Sequence, residues 1–310
     1  MSIFYGDEAI NYLAKKSQQQ DPKSSSHWNN YHSDFSYKNG EFSGLIGFGS
    51  IEKKHTRIKE MMHFFFQYPY RKMGRNFSDF SAIYETAKEI CIKCNKGFDL
   101  NMLRQVITLA YLNEMKVVDN GLSCVIGDGF GKMTGLLYKH FHQRVVLVNL
   151  AKTLLVDICN LKLILEDKFN ADLCIVNNKK DMLVALSDSG SRPSIIALEA
   201  ENHKLIQLCQ LDLTINTQSM QEMNPEVVRE YFKDISIASK DRHGVFYCSN
   251  REEKVLPDGT IVSFNDFPWS LATEILEDEL NPWTQRYYSF KPPFYRNYLG
   301  PIRHRLVKFS

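Results

Sequence analysis

The sequence predicts an α/β protein, with a doubly wound, mostly parallel sheet preceded by a helical cap. Three observations predict it. Short apolar, β-branched runs (LSCVIG, RVVLVNL, ADLCIVN, PSIIALEA, QLDLTINT and GVFYCSN) recur from Leu122 to Asn250, and segments of helix length separate most of them. Such alternation buries both faces of a parallel sheet under helices. Upstream, residues 51–115 carry apolar side chains at i, i+3, i+4 spacing, the period of amphipathic helices. The first strand run leads straight into VIGDGFGK, with glycine at every second position. Doubly wound folds hold their ligands there, beyond the carboxyl ends of the strands.

The elements follow in order. Residues 15–45 are polar and punctuated by Ser, Asn, Gly and Lys, and read as a mobile arm with aromatic anchors at Trp28, Tyr31 and Phe35. The cap comprises IEKKHTRIKEMMHFFFQY, FSAIYETAKEICIKC and LNMLRQVITLAYLNEM. Arg57, Arg71, Lys72 and Arg75 either line an anionic pocket there or form a solvated basic face. The period changes after Asp119-Asn120-Gly121, so the chain divides into an arm and cap (1–115) and an α/β domain (116–310). Helices GKMTGLLYKHFHQ, AKTLLVDICNLKLIL, KKDMLVALS and PEVVREYFKDI connect the strands, and ILEDELNPW reads as a further short helix. The C-terminal NPWTQRYYSFKPPFYRNYLGPIRHRLVKF is rich in aromatics and Arg; it closes over a ligand, forms a contact in a homo-oligomer, or straps the sheet.

Composition narrows the partners. With 38 Lys+Arg against 36 Asp+Glu the net charge is +2, without the electrostatic footprint of a nucleic-acid binder. Seven cysteines, an odd count scattered through apolar runs, read as reduced thiols in a cytoplasmic protein. Cys91 and Cys94 form a CxxC, but no second pair or paired histidines follow at zinc spacing, so no metal is expected. The N-terminus MSIFYGDEAI has neither a basic n-region nor an apolar h-region. The apolar stretches fall short of the roughly 18 residues of a membrane helix, so no membrane insertion is expected.

The glycine spacing separates the ligand classes. Gly127, Gly129 and Gly131 make GxGxG; GxGxxG is not met from Gly127 or Gly129, and no GxxxxGK[ST] occurs. The pattern, placed after the first strand, resembles the S-adenosylmethionine loop of class I methyltransferases. Asp128 within it either faces the methionine ammonium or caps the turn. Asn149, ending RVVLVNL, stands where an acid commonly accepts from the cofactor ribose; its carboxamide both accepts and donates. Val125 likewise stands where an acid is common.

Further stretches match one family as a set. INTQSMQEM (215–223), GVFYCSNREEKVLPDGT (244–260), DFPW (266–269), RVVLVNLAKTLL (144–155) and VIGDGFG together resemble the bacterial sugar O-methyltransferases, over roughly residues 100–290. The resemblance implies a Rossmann-like fold, S-adenosylmethionine as donor, and a sugar or nucleotide-sugar acceptor, as in surface polysaccharide synthesis; Asn149 departs from the family's more usual acid. The expected cofactor contacts are Gly127, Asp128, Gly129, Phe130, Gly131, Asn149, Leu150, Glu201, Asn202 and Thr217. Methyl transfer from a sulfonium requires alignment and the removal of one proton. Glu222 is the first choice for base or acceptor-hydroxyl ligand, with helix capping near Pro225 as its other role. His243 and His203 are alternative bases. Ser219, Gln221, Tyr247, Asn250 and Arg251 are expected to shape the acceptor pocket, Arg251 suiting a phosphate or carboxylate unless it serves a surface ion pair.

Overall fold

A computed structural model describes residues 3–38, 40–44, 55–118, 121–187 and 192–309. The first residues of the expected cap (51–54) and the Asp119-Asn120 turn lie outside these. The chain opens with β1 (Phe4–Tyr5), α1 (Gly6–Lys16), α2 (Ser26–Tyr31) and the hairpin β2 (Ser36–Lys38)–β3 (Glu41–Ser43). Helices α3 (Arg57–Phe66), α4 (Tyr68–Gly74), α5 (Phe80–Lys93) and α6 (Leu100–Glu114) form the cap. Alternation then begins: β4 (Leu122–Ile126), α7 (Lys132–Phe141), β5 (Arg144–Asn149), α8 (Ala151–Leu165), α9 (Phe169–Asp172), β6 (Leu173–Ile175), α10 (Lys179–Leu186) and β7 (Ile195–Glu199). After these come β8 (Leu213–Thr217), α11 (Pro225–Ser239) and β9 (Val245–Arg251). The chain closes with the hairpin β10 (Glu253–Val255)–β11 (Ile261–Ser263), then β12 (Glu274–Leu280), the hairpin β13 (Arg286–Tyr288)–β14 (Tyr295–Asn297), and β15 (Ile302–Lys308).

Nine strands pair in the order β1-β6-β7-β5-β4-β8-β9-β15-β12. Strands β4 to β9 are mutually parallel, whereas β1, β15 and β12 join antiparallel at the edges. This is the Rossmann-like α/β architecture expected from the alternating runs. From β4 the chain moves outward through β5 to β6, inserts β7 between those two, and then returns to β8 on the other side of β4. The order therefore reverses at β4, and a crevice opens at its carboxyl end.

Strand side chains alternate between two apolar layers. Val125, Leu147, Ile215 and Tyr247 face α5, α6, α7 and α8, while Ile126, Val148, Phe246 and Cys248 face α10 and α11. Cap residues Ile83, Ile90, Leu103 and Ile107 belong to the first layer, so cap and sheet share one core. Nor is the N-terminal segment separate. β1 pairs with β6, and Trp28, in the stretch read as a mobile arm, is buried on Leu150 and Ala200. Among the described residues no helix is long and apolar enough to cross a membrane.

One expected element changes type. ILEDELNPW was read as a helix, but Glu274–Leu280 is strand β12, antiparallel to β15. Its few apolar residues fit either period, and long-range pairing decides. Asp278 lies opposite two bases of β15, 3.0 Å from Arg303 Nη1 and 2.7 Å from Arg305 Nη2. The C-terminal run thus adds strands to the sheet edge.

Its hairpin β13–β14 packs on the cap through Arg104 of α6. That buried guanidinium donates to the Trp283 carbonyl (3.1 Å), the Tyr298 hydroxyl (2.7 Å) and the Arg286 carbonyl. Truncation would leave the carbonyl of buried Trp283 and the Tyr298 hydroxyl without this partner, although Tyr70 still donates to the Arg286 carbonyl. The expected cost of Arg104→Leu is about 3 kcal/mol of unfolding free energy, read from equilibrium urea titration. A loss within experimental error would contradict this tie between strap and cap.

Candidate functional site

The floor of the site is the turn between β4 and α7. Gly127, Gly129, Phe130 and Gly131 all take positive φ (71°, 60°, 78° and 65°). At Gly127 a Cβ would meet Ser219 Oγ at 2.2 Å, so close approach as well as φ demands glycine there.

Two buried carboxylates hold this turn. Asp128 accepts from the backbone N–H groups of Met133 (2.9 Å) and Thr134 (2.7 Å), satisfying the first turn of α7. Of its two expected roles, the geometry supplies the cap: both oxygens are spent on helix N–H groups. Asp157, within α8, accepts from Gly131 N–H (3.0 Å) and from Asn149 Nδ2 (2.8 Å). Burial pushes both carboxyls above their usual range, and the neighbouring Asp128 charge raises Asp157 further. Asn149 is oriented from both ends, because its Oδ1 also accepts from Leu150 N–H (2.9 Å). Its carboxamide is therefore held toward Asp157, although the residue still borders the cavity.

Above the floor lies a cavity of about 440 Å³, at the carboxyl ends of β4, β5 and β8. That volume suits a small organic ligand. Trp28, Tyr31, Leu150 and Ala200 form an apolar wall. Thr217, Ser219, Ser249, Asn281 and Thr284 form a polar one. The cap supplies Lys96, Asp99, Met102 and Gln105. Glu222 bridges the sheet side and the N-terminal segment, 2.7 Å from Lys254 Nζ and 3.4 Å from His27 Nε2. Burial alone would raise its carboxyl, but His27 and Lys254 outweigh that and hold it below the ordinary Glu range. A carboxylate so held is a weak proton acceptor.

Ten of the residues expected from sequence border this cavity: Gly127, Asp128, Gly129, Phe130, Asn149, Leu150, Thr217, Ser219, Glu222 and Arg251. The others have structural duties or lie elsewhere. Gly131 is occupied by Asp157. Glu201 pairs with Lys16 (2.7 Å), and neither it nor Asn202 reaches the wall, where Ala200 stands instead. Gln221 Oε1 accepts from Arg251 N–H (2.7 Å), and Asn250 accepts from Gln221 N–H (3.0 Å) while donating to Asn216 (2.9 Å). Tyr247 is wholly buried, its hydroxyl among His304 and Asn281. His243 is a correction: it precedes β9 and so lies exposed at the amino end of the strands, away from the crevice. His203 is buried between Asp234 and Glu230, a structural arrangement. Of the two readings of the cap's basic residues, the solvated face fits Arg57, Lys72 and Arg75, which are exposed, while Arg71 is buried 3.8 Å from the centroid of the Phe64 ring.

Sequence reasoning missed His27, Lys96, Lys132 and Lys254. Trp28 had signalled an anchor, but nothing local tied its neighbour His27 to Glu222. All seven thiols are free; Cys91 and Cys94 border the cavity, with Cys91 pushed up to about 12 by burial, so it is a protonated packing group. Among the described residues no cluster of three or more His, Cys, Asp or Glu could hold a metal ion.

No family model matches the sequence, and no curated protein does. Similar solved structures include magnesium protoporphyrin IX methyltransferase from Synechocystis PCC 6803 with bound SAH (TM-score 0.41, 12% identity, 75% of this chain and 96% of that one). Another is described as a sarcosine dimethylglycine methyltransferase from Galdieria sulphuraria (TM-score 0.43, 12% identity, 67% and 88%). A third is the methyltransferase domain of bacterial CtHen1 (TM-score 0.38, 13% identity, 68% and 100%). Likenesses at this level carry no conclusion about chemistry, and the fold rests on the strand order itself.

The buried acids make stability depend on pH with a definite sign. A carboxyl whose native proton affinity is raised contributes stability that is full below its unfolded pKa of about 3.9, and lost as pH rises toward the raised native value. Asp157→Asn removes that dependence. Urea unfolding from pH 4 to pH 8 should show the difference between wild type and variant moving steadily in the variant's favour. A difference independent of pH would contradict the raised carboxyl.

Proposed function

We propose that the protein is an S-adenosylmethionine-dependent O-methyltransferase whose acceptor is a hydroxyl of a sugar or nucleotide-sugar. The observation that carries the reading is the placement of the alternate-glycine turn. It floors a cavity of small-ligand size at the reversal point of the sheet. A nucleoside lying across Gly127–Gly131 would meet the backbone of a turn whose positive φ favours glycine. The wall of Trp28, Leu150 and Ala200 suits a flat purine. Thr217, Ser249, Asn281 and Thr284 offer hydroxyl and amide groups to a polyhydroxylated acceptor, and this wall, with the sequence resemblance, supports the sugar.

When bound, the sulfonium donor supplies an already activated methyl group. The chain must therefore hold the acceptor oxygen in line and receive one proton. In this reading Glu222 accepts from His27 Nε2–H and fixes the ring, leaving Nδ1 as the proton acceptor. Lys254 keeps Glu222 ionised, so the pair works as an oriented imidazole. Arg251 faces an anionic group on the acceptor.

A second reading, a non-catalytic partner with a Rossmann shell, draws on Asn149. Its carboxamide is engaged with Asp157 and Leu150, so β5 ends in an amide rather than a carboxylate. Isothermal titration separates the two. The methyltransferase reading predicts saturable heat with S-adenosylmethionine at micromolar to submillimolar concentrations; silence at millimolar donor favours the scaffold. Methylation of a non-sugar small molecule is distinguished by labelled donor with a panel of nucleotide-sugars and non-sugar alcohols. Label on the non-sugar compounds alone would remove the saccharide.

His27→Asn and Glu222→Gln should each lower turnover about a hundredfold with donor affinity kept, the scale of a lost general base. Unchanged turnover in both variants would dismiss the pair.

A further inference from the structure

Positive charge gathers where the cap meets the tip of the glycine turn. The Lys96 ammonium, just beyond α5, lies 4.3 Å from the centroid of the Phe130 ring, and Lys132 Nζ lies 5.8 Å from the same centroid. Lys132 is balanced, with Asp99 Oδ1 and Oδ2 each 3.3 Å away. Lys96 makes no ion pair or side-chain hydrogen bond among the described residues; it has the ring face, and Asp99 favours its charge only from a distance. Both ammoniums border the cavity, as does Asp99, so two cations meet one anion there. Lys96 is largely enclosed, and burial, with the nearby Lys132, pushes its ammonium below the usual range. A cation kept in such surroundings, beside a like charge, costs free energy unless an anion completes the site.

We propose that Lys96 and Lys132, set over Phe130, form an anion subsite that takes the carboxylate of the donor's amino-acid tail. The assignment rests on the donor reading above and deepens it. Phe130 belongs to the turn across which the nucleoside lies, so its tail emerges beside that ring. A phosphate on the acceptor offers the same chemistry from another source. Arg251, on the β9 side of the cavity and without an ion-pair partner among the described residues, already serves such a group.

The test compares calorimetric binding of S-adenosylhomocysteine, 5′-methylthioadenosine (which lacks the amino-acid tail) and uridine diphosphate. Wild type, Lys96→Met and Lys96→Arg are titrated with each. Wild type should prefer S-adenosylhomocysteine over methylthioadenosine at least tenfold. Lys96→Met should shrink that preference by about tenfold while leaving methylthioadenosine unaffected, the scale of one charge-assisted contact. Lys96→Arg, which keeps the charge, should retain most of it. Lys96→Gln serves if the methionine variant does not fold. Equal affinity of Lys96→Met and wild type for every ligand overturns the subsite. Weakening of uridine diphosphate alone overturns the donor assignment and gives the cations to the acceptor. If wild type binds neither nucleoside, the donor reading itself fails and this assignment falls with it.

Discussion

The whole site depends on how two buried carboxylates grip one glycine turn. Backbone running from β4 into α7 turns through four residues of positive φ, a path with few internal hydrogen bonds. Asp128 supplies acceptors for Met133 and Thr134 at the start of the helix, and Asp157 supplies one for Gly131 from beneath. Without them the turn would leave buried N–H groups unpaired. Because Asp157 also takes the Asn149 amide, the same pair orients the end of β5, and with it the wall at Leu150. Like charges this deeply buried are unfavourable when both are ionised, which is why their proton affinity rises. The floor is thus rigid in shape and sensitive to protonation.

Around that floor the molecule assembles walls from distant parts of the chain. The cap shares its core with the sheet, so Lys96, Met102 and Gln105 stand on packed helices or their ends. The N-terminal segment is attached as well, with Ala9, Ile10 and Leu13 of α1 buried in the same core. Besides the burial of Trp28, it is tied by the Ser25 hydroxyl to the Glu222 carbonyl, by Asp21 to Ala151 N–H (3.1 Å), and by His27 to the Glu222 carboxylate. One carboxylate therefore joins the loop after β8, the β10 hairpin through Lys254, and the N-terminal helix α2.

Local periodicity made much of this legible. The parallel strands and the glycine turn could be read from β-branched runs and from glycine spacing, because each is a pattern within a dozen residues. β12 could not, since its short acidic run shows no decisive period and its pairing with β15 is set from the far end of the chain. The cofactor-side glycines were visible, but the partners that define the chemistry were not. Lys96 and His27 approach the crevice from segments far from it in sequence. Asn149 was read as facing the ligand because strand ends do; it borders the cavity, with its amide drawn to Asp157. The one available signal was Asp157 itself, an acid inside the otherwise apolar AKTLLVDICNLKLIL. Gln221, Tyr247 and Asn250 lie in or just after strands that reach the crevice, yet their side chains close the polar web behind the wall. Sequence position placed them near the site, and only geometry shows which way they face.

The central claim is that a sulfonium nucleoside rests on the turn held by Asp128 and Asp157. A crystal structure of the protein soaked with S-adenosylhomocysteine tests it most directly. The account predicts density for the ligand across Gly127, Gly129 and Phe130, with its purine against Trp28 and Leu150. Ligand density elsewhere on the protein, with side chains filling the space above those glycines, would contradict it.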